Sequence, residues 1–349
     1  MIPYVEIVDK YTLKPFELIE PSECWFELSY FEVGQFEVYC RATKKNLAAL
    51  QKGNYVKIPN KRFIWVITSI KYTFNAGGAR MISATGYEAK WLLKKRIILT
   101  PKELQGTITN AVYGLVKQNI GTESDTARKI DGFIVDTNEL LIDITGTQAT
   151  RGNLLTFVND LLKTYNCGSQ VVYENGLLKY QIINGEVKTN TIKFSQSLDN
   201  LIKSEYSTND DDLGSYAQIV STVEDIDYTE EYNKGGTGID RAEILVSSNL
   251  STKYEDANGE EQETTPTSAL YKGWQRAEGQ NELSNHKTIE EVSAEIDLTN
   301  SIYTFDVDFF IGDLVRIQDE YFNYYANKRI LKYTISQSSA YAEAAEYGE

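Results

Sequence analysis

The chain has 349 residues, enough for two or three domains with cores of their own. Its 50 acidic and 35 basic residues give a formal net charge of −15, which argues against specific nucleic-acid binding and stable membrane binding, because both rely on Lys and Arg facing phosphate. Neither an export signal nor a membrane-spanning run is recognisable, and the three cysteines form no C-x-x-C pair, so we expect reduced thiols.

Alternating apolar and polar residues predict strands through most of the first hundred residues. The predicted strands are 25–30, 36–40, 55–58, 63–67 and 81–86. The run 63–67 is apolar on both faces, which suits a strand lying between its own barrel and another protein surface, or a central strand of a large core. Residues 1–100 are therefore predicted to form a first tube-like antiparallel β-barrel.

Two local features complete this first region. Ala76-Gly77-Gly78 is predicted to be a hairpin loop, since glycines tolerate the backbone angles that tight turns require. Residues 88–96 are predicted to form a short helix with a basic cluster, and Pro101 marks a boundary after it.

Two helices and a hairpin are predicted between residues 101 and 190. Apolar residues recur at helical spacing in 106–119 and again in 154–162. Two strands, 169–173 and 177–183, flank Asn175-Gly176, a pair typical of tight hairpin turns. The sequence therefore predicts a separate α+β domain at 101–190.

In the remaining chain, strands are predicted again within 191–228 and within 296–349. Between them, 229–295 is predicted to be an insertion with mobile parts, because much of it is polar, acidic and rich in glycine. The overall fold class is thus β-rich α+β.

A sequence similarity links two stretches near opposite ends of the chain. Gly53-Asn54-Tyr55-Val56-Lys57-Ile58 resembles Gly312-Asp313-Leu314-Val315-Arg316-Ile317, and each is followed by Lys-Tyr-Thr, at 71–73 and 332–334, and then by a glycine, Gly86 or Gly348. Strand alternation alone could produce such a match, so duplication and coincidence both remain as interpretations. Duplication predicts that 53–86 and 312–348 form the same β-unit twice.

No catalytic, cofactor-binding or metal-binding residue is predicted, and no cofactor. The single histidine, His286, lies in a polar stretch without a second metal ligand or a nucleophile elbow. Asp210-Asp211-Asp212 lacks the alternating ligand spacing of a calcium loop, and the glycine-rich segments lack the ending of a phosphate loop. Many carboxylates among aromatic residues leave carbohydrate binding or hydrolysis as an alternative.

Four features in chain order resemble the family of siphophage and prophage tail proteins at the tail tip. They are Phe36-Glu37-Val38 after a glycine turn, Gly86 followed by 91–98, Phe194-Ser195 with Asn200-Leu201, and Gly312-Asp313-Leu314-Val315 with Arg329-Ile330-Leu331. The family is similar to the central baseplate hub of contractile tails and to the amino-terminal region of tail-associated lysins. The resemblance covers nearly the whole chain.

The resemblance implies a structural hub rather than an enzyme. Hubs of this kind are trimers in which each chain gives two tube-like barrels to a ring, so that six similar units match a six-fold tail tube. The resemblance therefore implies two tube-like antiparallel β-barrel domains with the α+β domain between them. The first barrel would be 1–100, and the second would be discontinuous, formed by 191–228 together with 296–349, with 53–86 and 312–348 in equivalent strands of the two superposable barrels. The implied partners are the distal tail protein or tail tube protein and, below the ring, a fibre, spike or lysin. The implied location is the virion tail tip, after synthesis in the bacterial host cytoplasm.

Two departures from the family and two other interpretations remain. Tail-associated lysins continue into a peptidase or muralytic domain, whereas this sequence ends at Glu349, so we expect any lysin activity on another chain. The long acidic insertion is not part of the family pattern. The alternatives are a carbohydrate-binding or cell-wall-degrading tail protein, and a surface β-protein unrelated to phage.

Overall fold

A computed structural model describes residues 2, 4–74, 78–144, 146–201, 203–256, 259–296, 302–321, 324–338 and 340–348. The predicted hairpin-loop residues Ala76 and Gly77 lie outside this described part. The first region contains β1 (Val5–Val8), β2 (Pro15–Ile19), β3 (Glu23–Ser29), β4 (Gln35–Arg41), α1 (Lys44–Ala49), β5 (Tyr55–Lys57), β6 (Trp65–Phe74), β7 (Arg80–Glu88), a 3₁₀ helix (Ala89–Lys95) and β8 (Ile97–Ile98).

The middle region contains both predicted helices and the predicted hairpin. Its elements are β9 (Lys102–Leu104), α2 (Ile108–Asn119), β10 (Phe133–Val135), β11 (Thr147–Ala149), β12 (Gly152–Asn153), α3 (Leu154–Thr164), β13 (Gly168–Glu174) and β14 (Leu177–Ile183). Thr107 and Asn153 cap the two helices by accepting hydrogen bonds from first-turn amides. Asn175 and Gly176 have φ of 52° and 77°, as the tight turn between β13 and β14 requires.

The last region alternates between the large sheet and the insertion. Its elements are β15 (Lys193–Ser195), β16 (Lys203–Asn209), β17 (Tyr216–Val223), β18 (Ile226–Asn233), β19 (Glu243–Ser248), β20 (Lys253–Glu255), β21 (Glu261–Glu263), α4 (Ala269–Asn285), β22 (Ile289–Ile296), β23 (Leu314–Asp319), β24 (Tyr324–Gln337) and β25 (Tyr341–Gly348), with short 3₁₀ turns at Gln196–Leu198 and Gly238–Asp240.

A 13-stranded sheet joins the two ends of the chain. Its order is β16-β22-β25-β24-β3-β4-β7-β6-β5-β1-β2, and β23 pairs with β24 and with β15. Two closed barrels were predicted within the chain, but in the described residues the two halves share one open sheet. The reason is that β24 hydrogen-bonds to β25 and also to β3, which lies more than 290 residues earlier. The observed fold class is therefore β-rich α+β.

Two apolar cores lie on opposite sides of the segment 63–67. Phe63, Trp65 and Ile67 are buried in the core of the large sheet. Ile64 and Val66 are buried in the core of the middle region, among residues of α2 and α3. Both faces of this apolar run are therefore covered within the chain, the outer one by the middle region and not by another protein.

The insertion is a small folded unit in the described residues. β17 pairs with β18 and β19, and α4 packs on this three-stranded sheet through Leu283 against Ala217 and Ile219. The predicted boundary at 228 falls inside β18, and the boundary at 295 falls inside β22, which pairs with β16 and β25 in the large sheet. The strand pattern was ambiguous here because alternation marks a strand without naming its partner.

Candidate assembly surface

Two groups of five strands in the large sheet have the same order and the same antiparallel pairing. The first unit is β3-β4-β7-β6-β5, and the second unit is β16-β22-β25-β24-β23. In the second unit β23, β24 and β25 form a meander, and the earlier strands β22 and β16 lie beside β25. In the first unit β5, β6 and β7 form the same meander, and β4 and β3 lie beside β7. The duplication suggested by the sequence therefore has a counterpart in strand topology.

The two units also match in hydrogen-bond register. Gly53 N–H donates to Ile67 O at 2.8 Å, and Gly312 N–H donates to Ile330 O at 2.9 Å. The return bonds match as well, from Ile67 N–H to the residue after Gly53 and from Ile330 N–H to the residue after Gly312. Both glycines have left-handed backbones, with φ of 90° and 89°. The Gly-x-x-Val-x-Ile similarity thus marks equivalent positions.

The Lys-Tyr-Thr similarity does not mark equivalent positions. The long strands β6 and β24 each contain one residue that is skipped in the pairing, directly after an isoleucine. In the first unit Ile67 pairs with Gly86, and Ser69 then pairs with Thr85. In the second unit Ile330 pairs with Tyr347, and Lys332 takes the place of Ser69. Lys71 and Lys332 therefore lie in equivalent strands but out of register by two residues, and Gly86 and Gly348 are out of register by one.

One joint between units is made inside the chain. The second half of β24 pairs with β3, from Lys332 opposite Ser29 to Gln337 opposite Cys24. Below the joint the Tyr333 ring stacks on Phe305 with centroids 3.6 Å apart. On the outer side Lys332 Nζ lies 2.7 Å from Glu346 Oε2, an exposed ion pair that contributes little stability.

The corresponding half of β6 has no second strand beside it in the described residues. β5 pairs with β6 only at Trp65 and Val66, and β7 is the neighbour of residues 69–74. The aromatic side chains of this half are uncovered, with Tyr72 58% and Phe74 71% exposed. An unpaired strand edge offers free N–H and C=O groups, and exposed aromatic residues add apolar surface to it.

The counterpart of β3 in the second unit, β16, is also an edge. It pairs with β22 alone among the described strands, and Glu205, Ser207 and Thr208 are exposed. One chain thus has two strand edges without a partner among the described strands, β6 and β16. Their equivalents in the other unit, β24 and β3, pair with each other. Chemically this surface can bind another strand by main-chain hydrogen bonds.

Electrostatics at the joint are governed by burial. Glu27 lies opposite Thr334 in this pairing. Burial raises the pKa of Glu27, and the positive charge of Lys332 lowers this pKa in part. Burial likewise raises the pKa of Glu343 on β25 to about 7, although Tyr341 Oη donates a hydrogen bond to Glu343 Oε1 at 2.6 Å.

The polar residues considered in the sequence lie elsewhere. His286 caps the end of α4, with Nδ1 3.0 Å from Asp212 Oδ1 and Nε2 3.5 Å from Glu282 Oε1. Within the described ranges no group of three or more His, Cys, Asp or Glu residues is arranged for a metal ion. Among the described helices, none has both the length and the apolar character of a membrane-crossing segment.

Sequence reasoning did not single out the edge residues of β6. One signal was present, because Ile70, Tyr72 and Phe74 continue the apolar alternation well past the residues that the short strand β5 can cover. When a strand keeps its apolar alternation past the end of the neighbouring strand, the uncovered part is expected to have another partner.

Comparison with known proteins adds to this geometry. No curated protein matches the sequence. The structure is similar to the tail protein from Neisseria meningitidis MC58, with a TM-score of 0.58, 11% identity and coverage of 99% of this chain and 96% of that one. It is also similar to the 43 kDa tail protein of prophage MuSo2 from Shewanella oneidensis, with a TM-score of 0.56, 14% identity and coverage of 99% and 98%.

At these identities the structural likeness establishes the fold. The sequence itself matches one family model, described as Siphovirus ReqiPepy6 Gp37-like protein, over residues 17–347. Together they confirm the resemblance to siphophage and prophage tail proteins. The chain therefore belongs to the Siphovirus ReqiPepy6 Gp37-like family of phage tail proteins.

Proposed function

We propose that the chain is a structural tail hub protein that assembles as a trimeric ring at the virion tail tip. The observation that carries this proposal is the pair of matching strand units, with one joint made inside the chain and its counterpart left open. In the ring, β6 of one copy pairs with β16 of the next, just as β24 pairs with β3. Three chains then present six similar units to a six-fold tail tube.

The register of the joint between copies follows from the register inside the chain. In the first unit Phe26 pairs with Phe36, which pairs with Gly86. In the second unit Tyr206 pairs with Val292, which pairs with Tyr347. Because Gly86 and Tyr347 are equivalent, Phe26 and Tyr206 are equivalent as well. Transferring the β24 to β3 pairing therefore sets Ser69 opposite Asn209, Ile70 opposite Thr208, Lys71 opposite Ser207, Tyr72 opposite Tyr206, Thr73 opposite Glu205 and Phe74 opposite Ser204.

The domain organisation follows the same logic. Each unit becomes part of a tube-like barrel when its outer strands find partners, the first within about 1–100 and the second split between the two sides of the insertion. Because β17 pairs inside the insertion and β22 pairs in the large sheet, we set the limits of the insertion at about 210–288. The region 101–190 packs on the outer side of β5 and β6 and lies outside the ring.

The ring serves as a scaffold. It binds the distal tail protein or tail tube protein on one side and supports a fibre, spike or lysin on the other, and it performs no catalysis itself. With −15 per chain, the assembly carries a large negative charge, and any part of it that faces the channel repels passing DNA.

Light scattering over a wide concentration range, followed by electron microscopy of the largest species, tests this function. We expect a mass about three times the 39.6 kDa of the chain and a ring with six similar densities. The ring could form only on a partner, so the measurement is repeated with the distal tail protein. A single-chain mass in both conditions, or a ring with another number of densities, contradicts the proposal.

A further inference from the structure

The joint inside the chain is closed at one end by a tyrosine that lies on a glycine. Tyr30 is the first residue after β3, and its N–H donates to Leu331 O at 2.7 Å. Its ring lies so close to Gly312 that a Cβ built on this glycine would overlap the ring. The guanidinium carbon of Arg329 lies 5.4 Å from the centre of the same ring. One large side chain therefore fills the space next to Gly312.

At the open joint the equivalent glycine is covered by a lysine of its own unit. A Cβ built on Gly53 would lie 2.9 Å from Lys10 Cδ and 3.7 Å from Lys10 Nζ. Lys10 Nζ donates to Lys52 O at 3.3 Å, and it forms no ion pair with a carboxylate among the described residues. The carboxylate of the preceding residue, Asp9, accepts hydrogen bonds from its own turn instead. The space that the tyrosine fills at one joint therefore contains a lysine side chain at the other.

The transferred pairing identifies the residue that approaches this lysine. Ser29 at the end of β3 is equivalent to Asn209 at the end of β16, so Asp210 is the counterpart of Tyr30. With Asp210 in the place of Tyr30, its N–H faces β6 of the neighbouring copy, and its side chain faces Lys10 of that copy. Within one chain the two residues belong to distant parts of the large sheet, since eight strands lie between β1 and β16 in its order.

Asp210 fits this place in both size and charge. Its side chain is shorter than that of tyrosine, which leaves room for the Lys10 side chain. Asp210 is exposed, and its carboxylate makes no hydrogen bond or ion pair within the described part of the chain. Two further aspartates follow it, and 205–231 contains no Lys or Arg, so the surroundings of Asp210 attract a cation.

We propose that Lys10 of one copy and Asp210 of the next copy form an ion pair that closes the joint between copies. The pair rests on the trimeric ring proposed above and specifies one of its contacts. Main-chain hydrogen bonds accept almost any sequence, so the strand edges alone do not select a partner. The ion pair adds selection for a second copy of this chain, because a strand followed by a neutral or basic residue leaves Lys10 without a counter-ion.

Carbodiimide cross-linking of the wild-type assembly tests the contact, because this reagent joins a carboxylate to an amine only where the two groups touch. The ring is assembled from a mixture of isotopically labelled and unlabelled chains, with the distal tail protein added if assembly requires it. Mass spectrometry of the digested product should identify a bond between Lys10 and Asp210. Peptides that combine a labelled and an unlabelled half should show that this bond joins two copies.

Charge reversal tests the contribution of the pair to assembly. Lys10→Glu alone and Asp210→Lys alone should each raise the chain concentration at half assembly about tenfold, because the closed ring contains three such contacts. The double variant, Lys10→Glu with Asp210→Lys, should restore most of the loss. Lys14→Glu makes the same charge change at an exposed position between β1 and β2, and should assemble as the wild type does.

The outcomes separate the ion pair from the ring. A ring that forms without a cross-link between Lys10 and Asp210 overturns the ion pair and leaves the ring in place. A double variant that assembles no better than the two single variants does the same. A wild-type chain that keeps a single-chain mass with and without the distal tail protein overturns the ring and the ion pair together. The cross-link is measured on the wild type, so this result does not depend on the folding of any variant.

Discussion

Gly53 and Gly312 occupy the same position in two copies of one strand unit, 259 residues apart by their numbers. Each has φ near +90°. Gly53 N–H donates to the carbonyl of Ile67, and Gly312 N–H donates to the carbonyl of Ile330. This correspondence defines the register of both units. It also shows which edges of the chain are equivalent to the joined edges β24 and β3.

The two glycines should differ in their tolerance of alanine. Both substitutions put a side chain on a left-handed backbone, at about 1–2 kcal/mol. At Gly53 the new Cβ meets only the flexible Lys10 side chain, 2.9 Å from its Cδ, whereas at Gly312 it overlaps the Tyr30 ring. The Tyr30 hydroxyl lies 2.9 Å from Asn166 O and 3.1 Å from Ile183 O, and its single proton can be donated to either carbonyl, so the ring cannot easily move. Gly312→Ala should therefore cost about 1–3 kcal/mol more than Gly53→Ala in urea unfolding; equal costs would refute this reasoning.

A pair of cysteines tests the register between copies. Lys71 is opposite Ser207 in the transferred pairing, so Lys71→Cys with Ser207→Cys should form disulfides between chains and give linked trimers on non-reducing gels. The native Cys24, Cys40 and Cys167 are all buried and should not interfere.

The control for this experiment is Lys71→Cys with Thr208→Cys, because adjacent strand residues point to opposite faces. We expect few cross-links from this pair. Equal yields from both pairs, or no cross-links in a sample that scatters as an assembly, would rule out the proposed register.

A charge on the open edge of β6 should block assembly without unfolding the chain. Tyr72 is 58% exposed, so Tyr72→Asp should change the free energy of unfolding by no more than about 0.5 kcal/mol. An aspartate between two paired strands is strongly disfavoured, and the scattering mass should return to that of one chain. Tyr11→Asp, at a position 78% exposed and outside both edges, is the matched control and should assemble normally.

Stability should fall as the pH rises through neutrality. Burial raises the pKa of Glu343 in the folded chain to about 7 from its ordinary 4.5, so the folded state holds the proton more tightly than the unfolded state. The folded chain is therefore favoured most below about pH 4.5 and loses up to about 3 kcal/mol from this group by about pH 7.

Urea unfolding at about pH 5 and about pH 8 measures this loss. Glu343→Gln should reduce the difference between the two pH values, although Glu278 and Asp160, whose pKa values are also raised by burial, leave part of it. Glu346→Gln, at a partly exposed position beside Lys332, should leave the difference unchanged. An unchanged pH dependence in Glu343→Gln would contradict the assignment.

A buried lysine should be essential for joining the first unit to the middle region. Lys90 Nζ donates to Ser29 O at 2.6 Å and to Ser169 O at 2.9 Å, and lies 3.7 Å from Glu88 Oε2, with its side chain fully buried. Lys90→Met removes the cation beside the buried Glu88 carboxyl and the donor to these carbonyls, which should cost about 3–5 kcal/mol.

The double variant Lys90→Met with Glu88→Gln tests that explanation. Glu88 Oε2 accepts hydrogen bonds from the backbone N–H groups of Ser29 and Gly34, at 3.4 and 3.2 Å. The side-chain amide oxygen of the glutamine can still accept both. We expect calorimetry to show part of the stability restored. A double variant less stable than Lys90→Met alone would show that the unpaired carboxylate is not the main cost.

Several elements could be predicted because their signals are local. The buried stripes of α2 and α3, the turn at Asn175-Gly176 and the first six residues of the duplicated motif all depend on neighbours in sequence, through helical periodicity or backbone preference. Helix α4 gave no such signal, because its buried face includes Gln275 and Gly279. Gly279 is explained only by Ile219, which lies against it from another strand.

By itself the sequence determined which segments alternate, which face of each strand is apolar, and that a six-residue motif occurs twice. It could not determine strand partners, because the backbone groups that pair are identical in every residue. Only the tertiary structure decided that β24 joins β3, that the Lys-Tyr-Thr similarity is out of register, and that β6 and β16 each keep an edge without a neighbouring strand among the described residues. The physical reason is that pairing depends on distant segments meeting in space, which leaves no mark in the local pattern.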